Sequence, residues 1–188
     1  MLFLVTISFP KSFSIRIVDE KSGSSHGAAL IEESCRNTSS YDLCVSSFKS
    51  NPKSFKADIL GLLRISIDLA NLNASRVLHY IDNLIKTSKD VSASVKWCRE
   101  DYHSSMHARN KAIEALTGGD YLSTNVDISA AGGYTYDCKD EFTMASPTTS
   151  SSVGLEELPP ELVQMNEIML KLDDISIEIL CRNFMTCD

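Results

Sequence analysis

Apolar residues recur along this chain with the period of a helix. From Lys56 to Lys86, Ile59, Leu63, Ala70, Val77, Ile81 and Leu84 fall at steps of three, four or seven, the spacing of one helical face. Leu62, Ile65, Leu69 and Leu72 add a second stripe, so the spacing predicts a helix packed between neighbours. The period returns through Val91, Val95, Cys98, Tyr102, Met106, Ile113 and Leu116, and Thr117-Gly118-Gly119-Asp120 then supplies a stop followed by a cap. Asp120 is placed to accept the first free amide hydrogens of a third helix, which continues through Tyr121, Leu122, Val126, Ile128, Ala130 and Ala131 towards Cys138 and Phe142. Pro159-Pro160-Glu161 opens the last helix, with Leu162, Met165, Met169, Leu172, Ile175 and Ile179 on one face and the two methionines read as core filling. Between these helices, Thr143 to Gly154 is rich in Ser, Thr and Pro without periodicity, and reads as a surface loop. Alternating segments are short everywhere, and the hairpin dipeptides Asn-Gly and Asp-Gly are absent. Long helices with short links predict an all-α, up-down four-helix bundle.

The 188 residues, 43% apolar and 23% charged, suit one domain. That domain is expected over 28–181, with 182–188 as a tail and 1–27 as either a signal peptide or a disordered leader. Met1 to Phe9 has the character of a short apolar export segment, but no Lys or Arg precedes it and Lys11 and Arg16 follow it. Eighteen basic residues stand against 25 acidic ones, a net charge of −7, with no Lys/Arg cluster. A nucleic-acid partner needs a concentrated basic face and is excluded. No apolar run approaches the ~20 residues that span a bilayer, so no membrane span is expected.

The six cysteines ask for an explanation. Cys98 and Cys138 lie on consecutive predicted helices, and their midpoint falls on the Gly118-Gly119 turn. Residues equidistant from the turn of an antiparallel hairpin are level, here about 20 residues or ~30 Å along each helix. Helices ~8–10 Å apart bring facing Cβ atoms within disulfide reach. Closing that loop of about 40 residues would stabilise by roughly 3–4 kcal/mol; the alternative is two unrelated core cysteines. Cys35 and Cys44 bracket a polar turn, where a disulfide would fasten an N-terminal segment too short to hold itself. Cys181 and Cys187, six apart, either pair or stay free. No C-x-x-C pair exists to start a zinc site.

Candidate chemistry is sparse. His103 and His107 are spaced i, i+4, but His103-Ser104-Ser105-Met106-His107 lacks the glutamate a zinc protease needs, so both are read as surface residues, as is His79. The acidic neighbours Asp173-Asp174, Glu156-Glu157 and Glu32-Glu33 are read as solvated. No nucleophile elbow, phosphate-cradling glycine loop or Cys/His nucleophile pair appears. The expectation is no enzyme, no catalytic residue, no metal and no cofactor: a domain that acts by binding. Asn37-Thr38-Ser39 and Asn73-Ala74-Ser75 are the glycosylation candidates.

Several markers together resemble a known family. They are Cys35-x8-Cys44 with Tyr41-Asp42-Leu43, Asn51-Pro52-Lys53-Ser54, Cys98-x3-Tyr102, Gly119-Asp120-Tyr121, Ser129-Ala130-Ala131 and Asp137-Cys138-x3-Phe142. The chain resembles the plant invertase and pectin methylesterase inhibitors, most of all the invertase-inhibitor branch that includes a plane-tree pollen allergen. The resemblance implies a four-helix bundle with an N-terminal helical hairpin and disulfides, by position, Cys35 with Cys44 and Cys98 with Cys138. It implies a secreted apoplastic protein, or a vacuolar one, that binds pectin methylesterase or acid invertase and blocks its active site. Polar exposed positions on the helices at 56–86 and 91–117 are the expected contact region. Invertase-directed members carry Pro-Lys-Phe after the Gly-Asp turn; this chain has Tyr121-Leu122-Ser123, which favours pectin methylesterase. Gly132-Gly133 interrupts a helix at up to ~1 kcal/mol per glycine and predicts local looseness. A bundle that kept the fold and lost inhibition, a non-inhibitory helical interaction protein, is the further alternative.

Overall fold

The computed structural model describes residues 20–89, 91–143 and 159–187. Residues 1–19 of the expected leader and 144–154 of the expected loop lie outside them. Among the described residues, six α-helices and one short 3-10 helix carry the fold. They are α1 (Glu20–Cys35), α2 (Tyr41–Lys49), the 3-10 helix Pro52–Lys56, α3 (Ile59–Thr87), α4 (Ala93–Thr117), α5 (Tyr121–Thr143) and α6 (Pro160–Asn183). No strand occurs among the described residues.

Local chemistry sets the boundaries. The Asp58 carboxylate accepts the Gly61 amide at 2.8 Å and the Ser92 hydroxyl accepts the Val95 amide at 3.2 Å, so α3 and α4 each begin on a side-chain cap. Asp120 does the same for α5, taking the Ser123 amide at 3.0 Å. The turn before it closes through Gly119 at φ 75°, a left-handed conformation that favours glycine. Pro160 occupies the first turn of α6.

Pairs across the helices fix the topology. Asp82 with Arg99 and Asn71 with Asn110 descend α3 as they ascend α4, so the two are antiparallel. Ser66 with Ser176 and Tyr80 with Glu161 set α3 antiparallel to α6. Tyr102 meets Asn166 and, seven residues further along both helices, Arg109 meets Asp173; α4 and α6 therefore run parallel on the bundle diagonal. The four long helices make the up-down bundle that the periodicity predicts, and α1 and α2 form a hairpin against the α3 and α6 side. The core is Leu62, Leu63, Ile67, Ala70, Val77 and Ile81 of α3 packed with Leu162, Met169, Leu172, Ile175 and Ile179 of α6, joined by Tyr102, Ala112, Ile128 and Phe48.

Disulfides join Cys35 to Cys44 between α1 and α2, and Cys98 to Cys138 between α4 and α5. A third joins Cys181 to Cys187 and folds the chain end back on α6, so no described cysteine is free.

Several local expectations change. Helix α1 begins at Glu20 and α6 runs to Asn183. Gly27 is buried because α1 crosses the 3-10 helix there, and a Cβ would collide with the Phe55 carbonyl. Helix α5 runs unbroken through Gly132 and Gly133. Asp173 is not solvated: it is 3% exposed and takes two hydrogen bonds from Arg109, at 2.8 and 2.6 Å. Its neighbour Asp174 is exposed, so adjacent residues on one helix divide between core and solvent. Leu72 of the second α3 stripe is 49% exposed.

Candidate docking surface

Helix α5 is the unusual element. Its inward positions include Thr124 and Thr135 at 0% exposure beside Ile128, Ala131 and Cys138, while Leu122 (65%), Val126 (59%), Tyr134 (37%) and Tyr136 (54%) face outward. Leu122, Val126, Ser129, Ala130 and Gly133 follow one another at helical spacing and are at least partly open to solvent without a charge among them. The outward face of α4 adds Trp97 at 58% exposure.

A buried polar network lies beneath α5 and takes in its Thr135 hydroxyl and Ala131 carbonyl. Arg109 of α4 is completely enclosed; besides gripping Asp173 it donates to the Ser105 hydroxyl at 2.7 Å. Ser105 passes the contact to the Ala131 carbonyl of α5 at 2.8 Å, and the Thr135 hydroxyl donates to the same carbonyl at 3.2 Å. Tyr102 donates to Asn166, whose amide donates to Cys138 Sγ at 3.5 Å. Burial pushes the Asp173 carboxyl upward while Arg109 pulls it down; burial also raises the Tyr102 hydroxyl. Bidentate pairing satisfies the buried charge and ties α4 to α6 in one register.

A cleft of about 390 Å³ opens outward between α4 and α5. His103, Ser104, His107, Ala108 and Lys111 line one wall and Asp127, Ala130 and Tyr134 the other, with Lys111 and Asp127 3.4 Å apart. His103 and His107 are both exposed, and among the described residues no group of three or more potential metal ligands gathers here or elsewhere. Towards the Cys98–Cys138 end, Asp101 stands near Asp137, Glu141 and Glu100. Burial first, then these three carboxylates, raise the Asp101 carboxyl to about 6, and its Oδ2 is enclosed without a hydrogen-bond partner.

The seam between α3 and α4, within the contact region expected on the helices at 56–86 and 91–117, is different. Arg99 donates to Asp82 at 2.8 Å and lowers its carboxyl, Asn71 donates to Asn110 at 2.9 Å, and Arg64 pairs with Asp68. Arg99 with Asp82 and Asn71 Nδ2 with Asn110 are thus paired across the seam, while Asn71 Oδ1 is enclosed without a hydrogen-bond partner. A second cleft, about 570 Å³, lies between α2, α3 and α6 over Leu69, Leu72, Ile168 and Leu172. It exposes two large apolar side chains against five on α4 and α5, and its rim hydroxyls Ser46 and Ser50 donate to carbonyls of α2 itself. The turn residue Tyr121 is committed to the fold, its ring stacked 5.0 Å from that of Phe184. No described helix is long and apolar enough to cross a membrane. Of the apolar positions that mark this helix in the sequence, Leu122, Val126 and Ala130 face outward, and Thr124 and Thr135 lie on the inward side.

The sequence profile described as plant invertase/pectin methylesterase inhibitor matches residues 29–179. A pectinesterase inhibitor of Actinidia deliciosa is 31% identical over 149 residues, 78% of this chain and 73% of the relative. The cell wall / vacuolar inhibitor of fructosidase 2 of Arabidopsis thaliana is 32% identical over 144 residues, 75% of this chain and 77% of the relative. Among solved structures, a mutant form of a pectin methylesterase inhibitor from Arabidopsis superposes with a TM-score of 0.64 at 20% identity, over 82% of this chain and 95% of that one, a likeness of fold. The chain belongs to the plant invertase/pectin methylesterase inhibitor family.

Proposed function

We propose that this protein is a secreted, non-catalytic inhibitor that covers the substrate cleft of a plant cell-wall carbohydrate enzyme, with pectin methylesterase as the target. The family match over 29–179 carries this reading. Tyr121-Leu122-Ser123 stands where invertase-directed members place Pro-Lys-Phe, and the Tyr121 ring packs on Phe184 instead of facing a partner. The docking face is the outer surface of α4 and α5: desolvating Trp97, Leu122, Val126, Tyr134 and Tyr136 gains about 25 cal/mol per Å² of apolar surface covered. Such aromatic and aliphatic groups around a cleft are the usual anchors of a protein interface. The net charge of −7 favours a basic wall enzyme and accelerates encounter with it. The site of action is the apoplast, with the vacuole as the alternative.

Acid invertase is the second reading, supported by the fructosidase-inhibitor relative at 32% identity beside the pectinesterase inhibitor at 31%. Titration of the purified protein against pectin methylesterase and acid invertase in acidic buffer tests the assignment. Stoichiometric loss of pectin methylesterase activity is the expected result. Loss of invertase activity alone reverses the target, and no effect on either enzyme removes the inhibitor reading in favour of a non-inhibitory helical interaction protein.

A further inference from the structure

We infer that Asn37 is an N-glycosylation site and that Asn73, the other sequon of the chain, is not. Transfer of an N-glycan joins Asn Nδ2 to the anomeric carbon of a lipid-diphosphate-linked oligosaccharide. The bond from that carbon to the diphosphate oxygen breaks, the lipid diphosphate leaves, and the amide gives up one proton. The acceptor amide must therefore be free, and the Ser or Thr two residues on must be presented with it.

Asn37 meets both conditions. It lies in the turn between α1 and α2 and is exposed, as is Ser39, and its side-chain amide makes no hydrogen bond among the described residues. The turn is held by other groups. The Asn37 backbone carbonyl accepts from Arg182 at 3.0 Å, the Ser39 amide donates to Glu178 at 3.0 Å, and the Thr38 hydroxyl donates to the Cys35 carbonyl at 2.8 Å. A glycan on Nδ2 displaces none of these.

Asn73 fails the first condition, and Ser75, though exposed, has its hydroxyl engaged within the helix. It sits in the middle of α3, where Nδ2 donates to the Leu69 carbonyl at 2.8 Å and Oδ1 accepts from Arg76. Ser75 spends its hydroxyl on the Asn71 carbonyl, and Ala74 between them is fully buried in the core. Presenting this sequon requires unwinding α3 and withdrawing Ala74 from the bundle. The two sequons share their residue pattern and differ in structure.

The α1–α2 hairpin packs on α3 and α6 rather than on α4 and α5, so the glycan is expected to leave the proposed docking face open. The test expresses the full chain behind an established secretion signal in a plant secretory host. Wild type, Asn37→Gln and Asn73→Gln are compared by glycosidase-sensitive gel shift and glycopeptide mapping. One glycan is expected, on Asn37: lost in Asn37→Gln and retained in Asn73→Gln. An unmodified chain, a glycan on Asn73, or glycans on both sequons overturns the inference. Inhibition measured on the same samples is expected to be equal with and without the glycan, so the modification and the inhibitor reading fail separately.

Discussion

Helices α3 and α5 have similar lengths, 29 and 23 residues, and opposite designs. Helix α3 buries Leu62, Leu63, Ile67, Val77 and Ile81 and offers Arg64, Asp68 and Arg76 to solvent, as an amphipathic helix does. Helix α5 puts Thr124 and Thr135 inside and leaves Leu122, Val126 and Tyr136 outside. The difference separates two roles. The outer face of α3 carries mostly charged and polar groups with Leu72 exposed among them, whereas the outward stripe of α5 is largely apolar, which is why the proposed docking face is placed there. Helix α5 holds its place by other means: the Cys98–Cys138 disulfide and the hydrogen bonds of Ser105 and Thr135 to the Ala131 carbonyl.

The comparison breaks most readily at the buried pair beneath α5. Arg109→Leu leaves Asp173 enclosed and unpaired and is expected to destabilise by about 3–5 kcal/mol. Replacing both, Arg109→Leu with Asp173→Leu, is expected to recover much of the loss; urea unfolding of both variants measures this. An equal loss in the two would mean that packing volume, not the unpaired charge, is responsible.

Next in size is a truncation inside α3 set against one outside α5. Leu63→Ala removes a core side chain at 0% exposure and is expected to cost about 2–5 kcal/mol. Val126→Ser, at 59% exposure, is expected to change stability by no more than about 0.5 kcal/mol while weakening inhibition. Thermal melts with inhibition titrations separate these effects, and a large melting shift for Val126→Ser would contradict the exposed assignment.

The acidic end of the α4–α5 pair gives a smaller, pH-dependent effect. Asp101 is raised to about 6 in the fold against roughly 3.9 unfolded. Between those values the folded chain keeps a proton the unfolded chain has lost, so stability falls as pH rises through the window and is constant above it. Asp101→Asn removes the dependence and is expected to stabilise by about 1 kcal/mol or less at neutral pH, after solvent screening, with little difference below pH ~4. Melting curves across pH 4 to 7 test this, and a gain for the variant that is largest at low pH would reverse the sign. Smallest of all, added salt is expected to slow association with a basic enzyme while leaving dissociation nearly unchanged.

Much of this architecture was legible in the sequence because its causes are local or periodic. The α3 and α6 stripes, the Gly119 turn with its Asp120 cap, and the level placement of Cys98 with Cys138 all follow from spacing. What escaped depends on residues far apart in the chain. Asp173 looked solvated beside Asp174 until Arg109, 64 residues away, supplied its partner. Gly27 carried no signal of its own, because its need for a missing Cβ comes from the Phe55 backbone. The proposed docking face was less legible for a related reason. Apolar periodicity shows which residues share a side of α5 but not which side the neighbouring helices cover, and the polar residues of the α3–α4 seam are already paired across it.

The most direct test of the account places a charge on each of the two outer faces and measures inhibition of pectin methylesterase. Val126→Glu on α5 is expected to keep the wild-type melting temperature and raise the inhibition constant roughly tenfold or more. Asn71→Glu on the α3–α4 seam is expected to change the constant by less than about threefold, within the ordinary range of peripheral positions. Undiminished inhibition by Val126→Glu, or its loss in Asn71→Glu alone, would contradict the assignment of α5 as the face that meets the enzyme.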